Sequence, residues 1–112
     1  MKSQIGGNSV ENDISLIHEI SDDMAFRIIT SISNSAKAAT RISIENKIPL
    51  SSTYKKIKKL QKYDVVRIYR SEIDGSGKKV LLYRSNIASF EFKIEKGGPH
   101  LYSFSNSSIK QF

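Results

Sequence analysis

The hydrophobic period of this 112-residue chain changes once, near residue 64, and divides it into a helical part and a strand part. Before the change, apolar residues recur at three- and four-residue spacings, which indicates helices with one buried face. After it, apolar and polar residues alternate over 65–72, which is typical of a half-buried strand. Helices followed by antiparallel strands predict an α+β fold. The length fits one domain with its own hydrophobic core.

Two helices are predicted in the first third of the chain. Residues 14–20 fit either a helix face or a strand alternation, and we favour a short helix capped by Asp13. A longer helix is predicted to start at Ser21, whose hydroxyl can accept a backbone N–H as N-cap. Asp22 and Asp23 then lie at the positive end of the helix dipole. The predicted inward face of this helix consists of Ala25, Ile28, Ile29 and Ile32.

Two further helices are separated by a short turn that contains a proline. The first is predicted over about 37–47 with Ile42 as its inward anchor, and Pro49 ends it because proline pushes the preceding residue out of the helical region. The second is predicted to start at Ser51, again as N-cap. Its predicted inward residues are Thr53, Ile57 and Leu60.

The last part of the chain is predicted to form hairpins. Strands at 65–72 and 78–84 flank a turn at 74–77, where glycine adopts a positive φ without steric cost. A further strand at 88–95 precedes a Gly-Gly-Pro turn and a candidate last strand at 100–104. The apolar residues of the strand at 88–95 are predicted to form core or dimer surface, and they are Phe90, Phe92 and Ile94.

This order of elements predicts a winged helix-turn-helix, with a three-helix core, a β-hairpin wing and an extra C-terminal strand or hairpin. We divide the chain into a flexible tail at 1–12, a winged-helix domain at 13–95 and a C-terminal extension at 96–112. The extension is predicted to contain a strand or dimer contact and then to fray.

Positive charge is concentrated in the middle of the chain. Residues 36–70 hold ten basic and two acidic side chains, so their net +8 exceeds the +7 of the whole chain. Five lysines lie between residues 55 and 62 with no acidic residue until Asp64, so few ion pairs can form along that helix. Such focused positive charge favours binding to nucleic-acid phosphates.

One segment resembles a known family. Residues 48–60, with the sequence IPLSSTYKKIKKL, resemble the recognition-helix segment of ArsR-like winged-helix transcriptional regulators, especially small archaeal members. Residues 77–85, GKKVLLYRS, resemble the wing strand, and the likeness spans about 20–95. The resemblance implies a homodimer that binds double-stranded DNA with its third helix. Two positions depart from the family pattern: Ser43 stands where a small apolar residue is usual, and Lys47 stands where a glycine between the two helices is frequent. The cysteine ligands of the family's metal-sensing branch are absent.

The predicted function is therefore a sequence-specific, double-stranded DNA-binding transcriptional regulator. The helix at 51–63 is predicted to lie in the major groove and the wing at 74–79 on the DNA backbone. Ser51 is expected to cap the helix and to contact a base only if its hydroxyl is shared. Tyr54 can contact phosphate through its hydroxyl or pack its ring against the first helix or the wing. The candidate DNA-binding residues are Arg41, Ser51, Ser52, Tyr54, Lys55, Lys56, Lys58, Lys59, Arg70, Lys78 and Lys79.

Several other functions are disfavoured by what the chain lacks. Without cysteine it has no disulfide, zinc–thiolate site or cysteine nucleophile, and His18 and His100 lack a metal-ligand spacing. No nucleophile elbow or phosphate-binding loop is found, so we expect neither enzymatic activity nor a cofactor. No apolar run approaches the ~20 residues that span a bilayer, so we expect no membrane partner and a cytoplasmic location. The effector is unknown.

Two other functions remain open. An architectural or RNA-binding protein could use the same basic face without sequence preference, and competition with unrelated DNA and structured RNA separates that case. A winged-helix protein–protein module could bind an acidic partner through the lysines and dock through Phe90 and Phe92. An interaction that survives nuclease treatment would favour the second case.

Overall fold

The computed structural model describes residues 2–4 and 10–105, and the side chains of residues 14–105. Its helices are α1 (Val10–Ser21), α2 (Asp23–Ser31), α3 (Ala39–Asn46) and α4 (Leu50–Lys62). Its strands are β1 (Lys2–Gln4), β2 (Lys37–Ala38), β3 (Val66–Ile73), β4 (Lys79–Ser85), β5 (Ile87–Glu95) and β6 (Gly98–Ser105). The predicted α+β fold, with a helix-turn-helix, a hairpin wing and an extra C-terminal hairpin, is confirmed.

Among the described residues, one hydrophobic core joins the four helices to both sheets. It includes Leu16 of α1, Ile42 of α3 and Leu101 of β6, each of which is essentially inaccessible to solvent. Burying one such side chain contributes about 1.5–3 kcal/mol to folding. The inward faces predicted for the second and fourth helices are confirmed, because every residue assigned to them is buried: Ala25, Ile28, Ile29, Ile32, Thr53, Ile57 and Leu60.

The strands form two three-stranded antiparallel sheets with the orders β2-β4-β3 and β1-β6-β5. A single residue, Asn86, links β4 to β5, and its backbone N–H donates to the Val65 carbonyl at 2.8 Å. The neighbouring Ser85 N–H donates to the Ile32 carbonyl at 3.0 Å. These bonds hold the junction of the two sheets against the helical core.

The wing is the β3–β4 hairpin, and Asp74 organises its tip. One carboxylate oxygen of Asp74 accepts hydrogen bonds from the Ser76 hydroxyl (2.7 Å), the Ser76 N–H (2.9 Å) and the Lys78 N–H (2.9 Å). Gly77 has a φ of 86°, so the predicted glycine turn is present. The hydrogen bonds to Asp74 lower the pKa of its carboxyl group.

The caps predicted for the first two helices are wrong. Asp13 lies within α1, which already begins at Val10. Ser21 is the last residue of α1, and Asp22 caps α2 instead by accepting the Ala25 N–H at 2.9 Å. Several polar residues compete at each of these helix starts, and the path of the backbone decides which of them is in position.

The cap predicted for α4 is also wrong. The helix begins at Leu50, after Pro49, and no side chain caps it. The Pro49 carbonyl accepts the Thr53 N–H at 2.9 Å and the Thr53 hydroxyl at 3.1 Å. Helical bonding therefore begins before Ser51, which lies in the first turn.

Two other segments acquire structure that the sequence does not predict. Lys37 and Ala38, predicted as helix, form β2, because the neighbouring strand β4 supplies ladder partners for their backbone. Within the predicted tail at 1–12, the residues that the structure describes lie in β1, which pairs with β6, and at the start of α1. Both strands depend on contacts with distant parts of the chain.

The C-terminal hairpin, β5–β6, extends across the predicted boundary between residues 95 and 96. Gly98 and Pro99, predicted as turn residues, begin β6, because the register pairs Glu95 with Gly98 and leaves only two residues for the turn. The predicted strand at 100–104 is confirmed as part of β6. The fraying predicted beyond Ser105 lies outside the described residues. No helix in the described part of the chain is long and apolar enough to cross a membrane.

Candidate nucleic-acid interface

The turn between α3 and α4 is held by polar contacts. The Ser43 hydroxyl donates to the Ile48 carbonyl, and the Ile48 N–H donates to the Ser43 carbonyl at 3.0 Å. Lys47 adopts φ 54° and ψ 44°, the left-handed conformation that favours glycine after a helix. Arg27 of α2 donates from its Nη1 to the Asn46 carbonyl at the C-terminal end of α3. Both departures from the ArsR-like pattern, Ser43 and Lys47, are therefore compatible with a tight turn.

Helix α4 presents a cationic face opposite its buried face. Thr53, Ile57 and Leu60 point into the core, and successive residues of a helix rotate by about 100°. The lysines on the opposite side are exposed, and none of them takes part in an ion pair among the described residues. They are Lys55, Lys58, Lys59 and Lys62. Lys62 is not among the predicted site residues, although its spacing of seven from Lys55 places it on the same face.

Lys56 differs from the other lysines of α4. Its Nζ lies 3.1 Å from Asp22 and 3.7 Å from Glu19, and only 23% of its side chain is exposed. The Ala25 N–H and then Lys56 lower the pKa of Asp22, because both stabilise the ionised carboxylate. Lys56 therefore connects α4 to the N-terminal helices. The sequence does not reveal these ion pairs, because Glu19 and Asp22 lie more than thirty residues before Lys56 along the chain.

A cleft of about 300 Å³ separates the wing from α3 and the start of α4. Tyr54, Lys78 and Lys79 are exposed and lie along it, together with Thr40 of α3. Tyr54 therefore faces the wing side of α4. Burial and then the nearby Tyr54 raise the pKa of Tyr83, which also lines the cleft. The structure thus brings the wing lysines and the exposed tyrosine to one flank of α4.

Two predicted arginines form surface ion pairs. The Arg41 Nε lies 2.7 Å from Glu45, which also accepts a hydrogen bond from Lys37 at 2.7 Å. Lys37 and then Arg41 lower the pKa of Glu45. Arg70 pairs with Glu72 at 2.7 Å. Exposed pairs of this kind contribute about 0–1 kcal/mol, so both guanidinium groups can exchange a carboxylate for a phosphate.

The two predicted serines lie in the first turn of α4. Ser51 is exposed and Ser52 is half-buried. Because Ser51 does not cap α4, its hydroxyl is not committed to that role. Across the described residues, no group of three or more His, Asp or Glu side chains could hold a metal ion.

Three solved structures illustrate what this chain is similar to, each at low identity. The homodimeric winged helix-turn-helix DNA-binding domain Mb0332 of Mycobacterium bovis, a possible ArsR-family regulator, has a TM-score of 0.45 and 14% identity over 70% of this chain and 73% of that chain. A mutant of ZitR from Lactococcus lactis has a TM-score of 0.46 and 16% identity, covering 70% of this chain and 66% of that one. The transcriptional regulator SlyA has a TM-score of 0.45 and 17% identity, covering 67% and 51%. No protein-family model and no curated protein matches the sequence. At this identity the likeness concerns the fold alone.

Proposed function

We propose that this chain is a sequence-specific, double-stranded DNA-binding transcriptional regulator that acts as a homodimer. The observation that carries the proposal is the exposed lysine face of α4, which lies beside a wing with exposed lysines of its own. A face held only for solubility has no reason to collect like charges, since their repulsion destabilises the helix. Phosphates remove that repulsion on binding and release their condensed counterions.

Helix α4 is the element that enters the major groove. An α-helix fits this groove, where each base pair presents a distinct pattern of donors and acceptors. Ser51, Ser52 and Lys55 lie in the N-terminal half of α4 and contact base edges or the nearest phosphates. The other exposed lysines of α4 bind the DNA backbone. Lys56 is a positioning residue in this arrangement, because its charge is used within the protein.

The wing and α3 supply further backbone contacts. Lys78 and Lys79 lie across the cleft from Tyr54, so DNA held against α4 meets all three side chains. Arg41 and Arg70 supply additional cations after they release their surface carboxylates.

A homodimer fits the limited size of one module. A single small DNA-binding unit buries a modest area, and a two-fold pair reads two related half-sites. Two-fold dimers are also the commonest oligomers. We further propose that the regulator is of the ArsR-like kind, that it has no catalytic activity, and that it acts in the cytoplasm, where it meets its DNA.

In vitro selection from random duplex DNA at near-physiological salt tests sequence specificity. We expect enrichment of two related half-sites about one helical turn apart. Binding without enrichment would instead favour an architectural or RNA-binding protein. Absence of binding would favour the protein–protein module.

A matched pair of charge reversals tests the surface itself. Lys55→Glu and Lys96→Glu change the net charge equally, and both lysines are exposed, but only Lys55 lies on α4. We expect Lys55→Glu to reduce affinity for the selected site and to lower the salt slope by about one. Equal effects of the two substitutions would contradict the assignment of α4 as the reading helix.

A further inference from the structure

An apolar row on β5 starts in the core and continues out of it. Alternate residues of a strand share a face, so Phe90, Phe92 and Ile94 form one row. Phe90 packs against the core, whereas Phe92 is 52% exposed and Ile94 is 82% exposed. In β6 the residue opposite Phe92 is the buried Leu101. The row therefore extends the core-facing side of the sheet beyond the residues that cover it.

The same strand lies at the outside of its sheet. In the order β1-β6-β5, strand β5 has β6 on one side and no other strand of the described chain on its other side. Alternate backbone N–H and C=O groups of such an edge strand point away from the sheet, and a long edge with exposed apolar side chains recruits another strand. β5 has nine residues, which is long enough for this kind of pairing.

An apolar groove lies between α2 and the first half of β5. It encloses about 610 Å³, and its walls include Phe26, Ile29 and Phe90. Phe26 belongs to α2 and is 60% exposed, so this wall is accessible to a side chain from outside. One half of β5 therefore borders a groove, and the other half carries the exposed part of the apolar row.

We propose that β5 pairs antiparallel with β5 of a second copy of this chain, about a two-fold axis at Phe92. The sequence of β5 is self-complementary in that register. Phe92 lies opposite Phe92 of the second copy, and Phe90 lies opposite Ile94 of the second copy. On the other face Glu91 lies opposite Lys93 of the second copy, and the reverse pair forms by symmetry.

Neighbouring registers do not combine these properties. Moving the axis by one residue places Glu91 opposite Glu91 or Lys93 opposite Lys93, and like charges directly opposite each other destabilise a sheet. The register at Phe92 also places the most exposed side chain of the row, Ile94, beside Phe90 of the second copy. Because Phe90 lines the groove, Ile94 lies at the edge of the groove of the second copy, and the two-fold symmetry repeats this contact at the other groove.

The charged face of β5 is already ordered within one chain. Lys93 Nζ lies 3.2 Å from Glu91 and 5.5 Å from the centre of the Tyr102 ring, and the Tyr102 hydroxyl donates to Glu95 at 2.8 Å. Pairing of two copies brings a further opposite charge to Glu91 and to Lys93. The inference deepens the homodimer part of the proposed function by naming its surface, and it rests on no contact with DNA.

Two charge reversals test the pairing in the absence of DNA. Glu91→Lys makes both positions of each facing pair positive, and Lys93→Glu makes both negative. For each variant alone we expect the dimer dissociation constant, measured by analytical ultracentrifugation, to rise ~10-fold or more, because two attractive pairs become repulsive. Glu72→Lys is the matched control, since Glu72 is an exposed strand glutamate of the wing and its reversal leaves the dimer unchanged.

An equimolar mixture of the two variants is the decisive measurement. In the proposed register one chain then presents only positive and the other only negative side chains at the facing positions, so heterodimers form more tightly than either homodimer. A mixture no more dimeric than its components would overturn the register. A wild-type chain that stays monomeric would overturn the pairing itself, while DNA binding by that monomer would leave the DNA part of the proposed function intact.

A cross-link provides a second readout that does not depend on charge. The chain has no cysteine, so Phe92→Cys introduces one thiol next to the two-fold axis. Directly opposite residues of antiparallel strands have Cα atoms about 4.5–5.5 Å apart, within the range of a disulfide. We expect a covalent dimer on mild oxidation, and none for Ile73→Cys on the exposed end of β3. Equal cross-linking of the two variants would contradict the proposal.

Discussion

In the part of the chain that the structure describes, two antiparallel hairpins share a backbone design but differ in the side chains they expose. The wing, β3–β4, and the C-terminal hairpin, β5–β6, each reverse at a glycine with positive φ, Gly77 and Gly97. Each is rooted in the core by a buried apolar residue, Val66 in the wing and Leu101 in the C-terminal hairpin. The same local physics of alternation and turn formation therefore produces both.

The exposed residues give the two hairpins different partners. The wing presents Lys78 and Lys79 after its turn, next to the cationic face of α4. The C-terminal hairpin presents Phe92 and Ile94 at an outer strand. Cations attract a polyanion over a distance, whereas apolar side chains require close contact that excludes water. A β-hairpin can therefore serve a polyanionic or an apolar partner, depending on whether its exposed side chains are cationic or apolar.

The prediction with the largest expected effect tests whether the C-terminal hairpin packs into the hydrophobic core as the wing does. We expect Leu101→Ala to lower the free energy of unfolding by about 2–5 kcal/mol, because it leaves a cavity in a packed interior. Chemical denaturation at low protein concentration measures it. Ile94→Ala is the control on the same hairpin, and its effect should stay within about 0.5 kcal/mol. If Leu101→Ala lowered the free energy of unfolding as little as Ile94→Ala, Leu101 would not be part of the hydrophobic core.

A charge reversal at each of the two turns tests the functional side of the comparison. Lys79 and Lys96 are both exposed lysines beside a hairpin turn. We expect Lys79→Glu to weaken DNA binding ~3–10-fold near 0.1 M salt, because it removes a phosphate contact. Lys96→Glu should leave affinity unchanged, as measured by fluorescence anisotropy over a salt series. A larger effect at Lys96 would reverse the assignment of the two hairpins.

A smaller effect separates Lys56 from the cationic surface beside the wing. Its ion pairs with Asp22 and Glu19 are partly exposed, so we expect Lys56→Gln to reduce stability by about 1 kcal/mol or less. The salt slope of DNA binding should stay the same, whereas Lys55→Gln should lower that slope without reducing stability, because it removes one of the like charges of α4. Thermal unfolding and binding of both variants check this. A lower salt slope for Lys56→Gln would show that Lys56 contacts DNA.

The smallest effect concerns acid sensitivity at the tip of the wing. The Ser76 hydroxyl and the backbone N–H groups of Lys78 and Ser76 hold the pKa of Asp74 below its usual range. The turn is therefore fully stabilised above the ordinary Asp pKa of about 3.9, and this contribution is lost as pH falls through the lower pKa of the folded state. An NMR titration should give a low pKa for Asp74 and broadening at the tip only in acid. A pKa at the ordinary value would argue against the Asp74 turn.

Periodicity and turn chemistry could be predicted from the sequence because they depend on neighbours along the chain. The buried faces of α2 and α4 follow from apolar spacing, and the wing turn follows from a glycine close to Asp74. The helix caps could not be predicted in the same way. Asp22 rather than Ser21 caps α2, since the choice between adjacent polar residues depends on where α1 ends.

Some features of the candidate site can likewise be predicted from the sequence, and others cannot. The five lysines of α4 could be counted from the sequence, and four of them lie on its exposed face. The fifth, Lys56, could not be distinguished, because its acidic partners belong to α1 and to the cap of α2. Strand β2 escapes prediction for the same reason, since Lys37 and Ala38 become a strand only beside β4.

The order of the helices and of the strands of the two hairpins, the inward faces of α2 and α4 and the concentration of positive charge in residues 36–70 can all be predicted from the sequence. Only the folded molecule shows which lysines remain exposed, that β5 lies at the edge of a sheet, and that its apolar row leaves the core beside a groove. The physical reason is that period and charge are local properties of a chain. Burial and ion pairing depend instead on residues that folding brings together from distant positions.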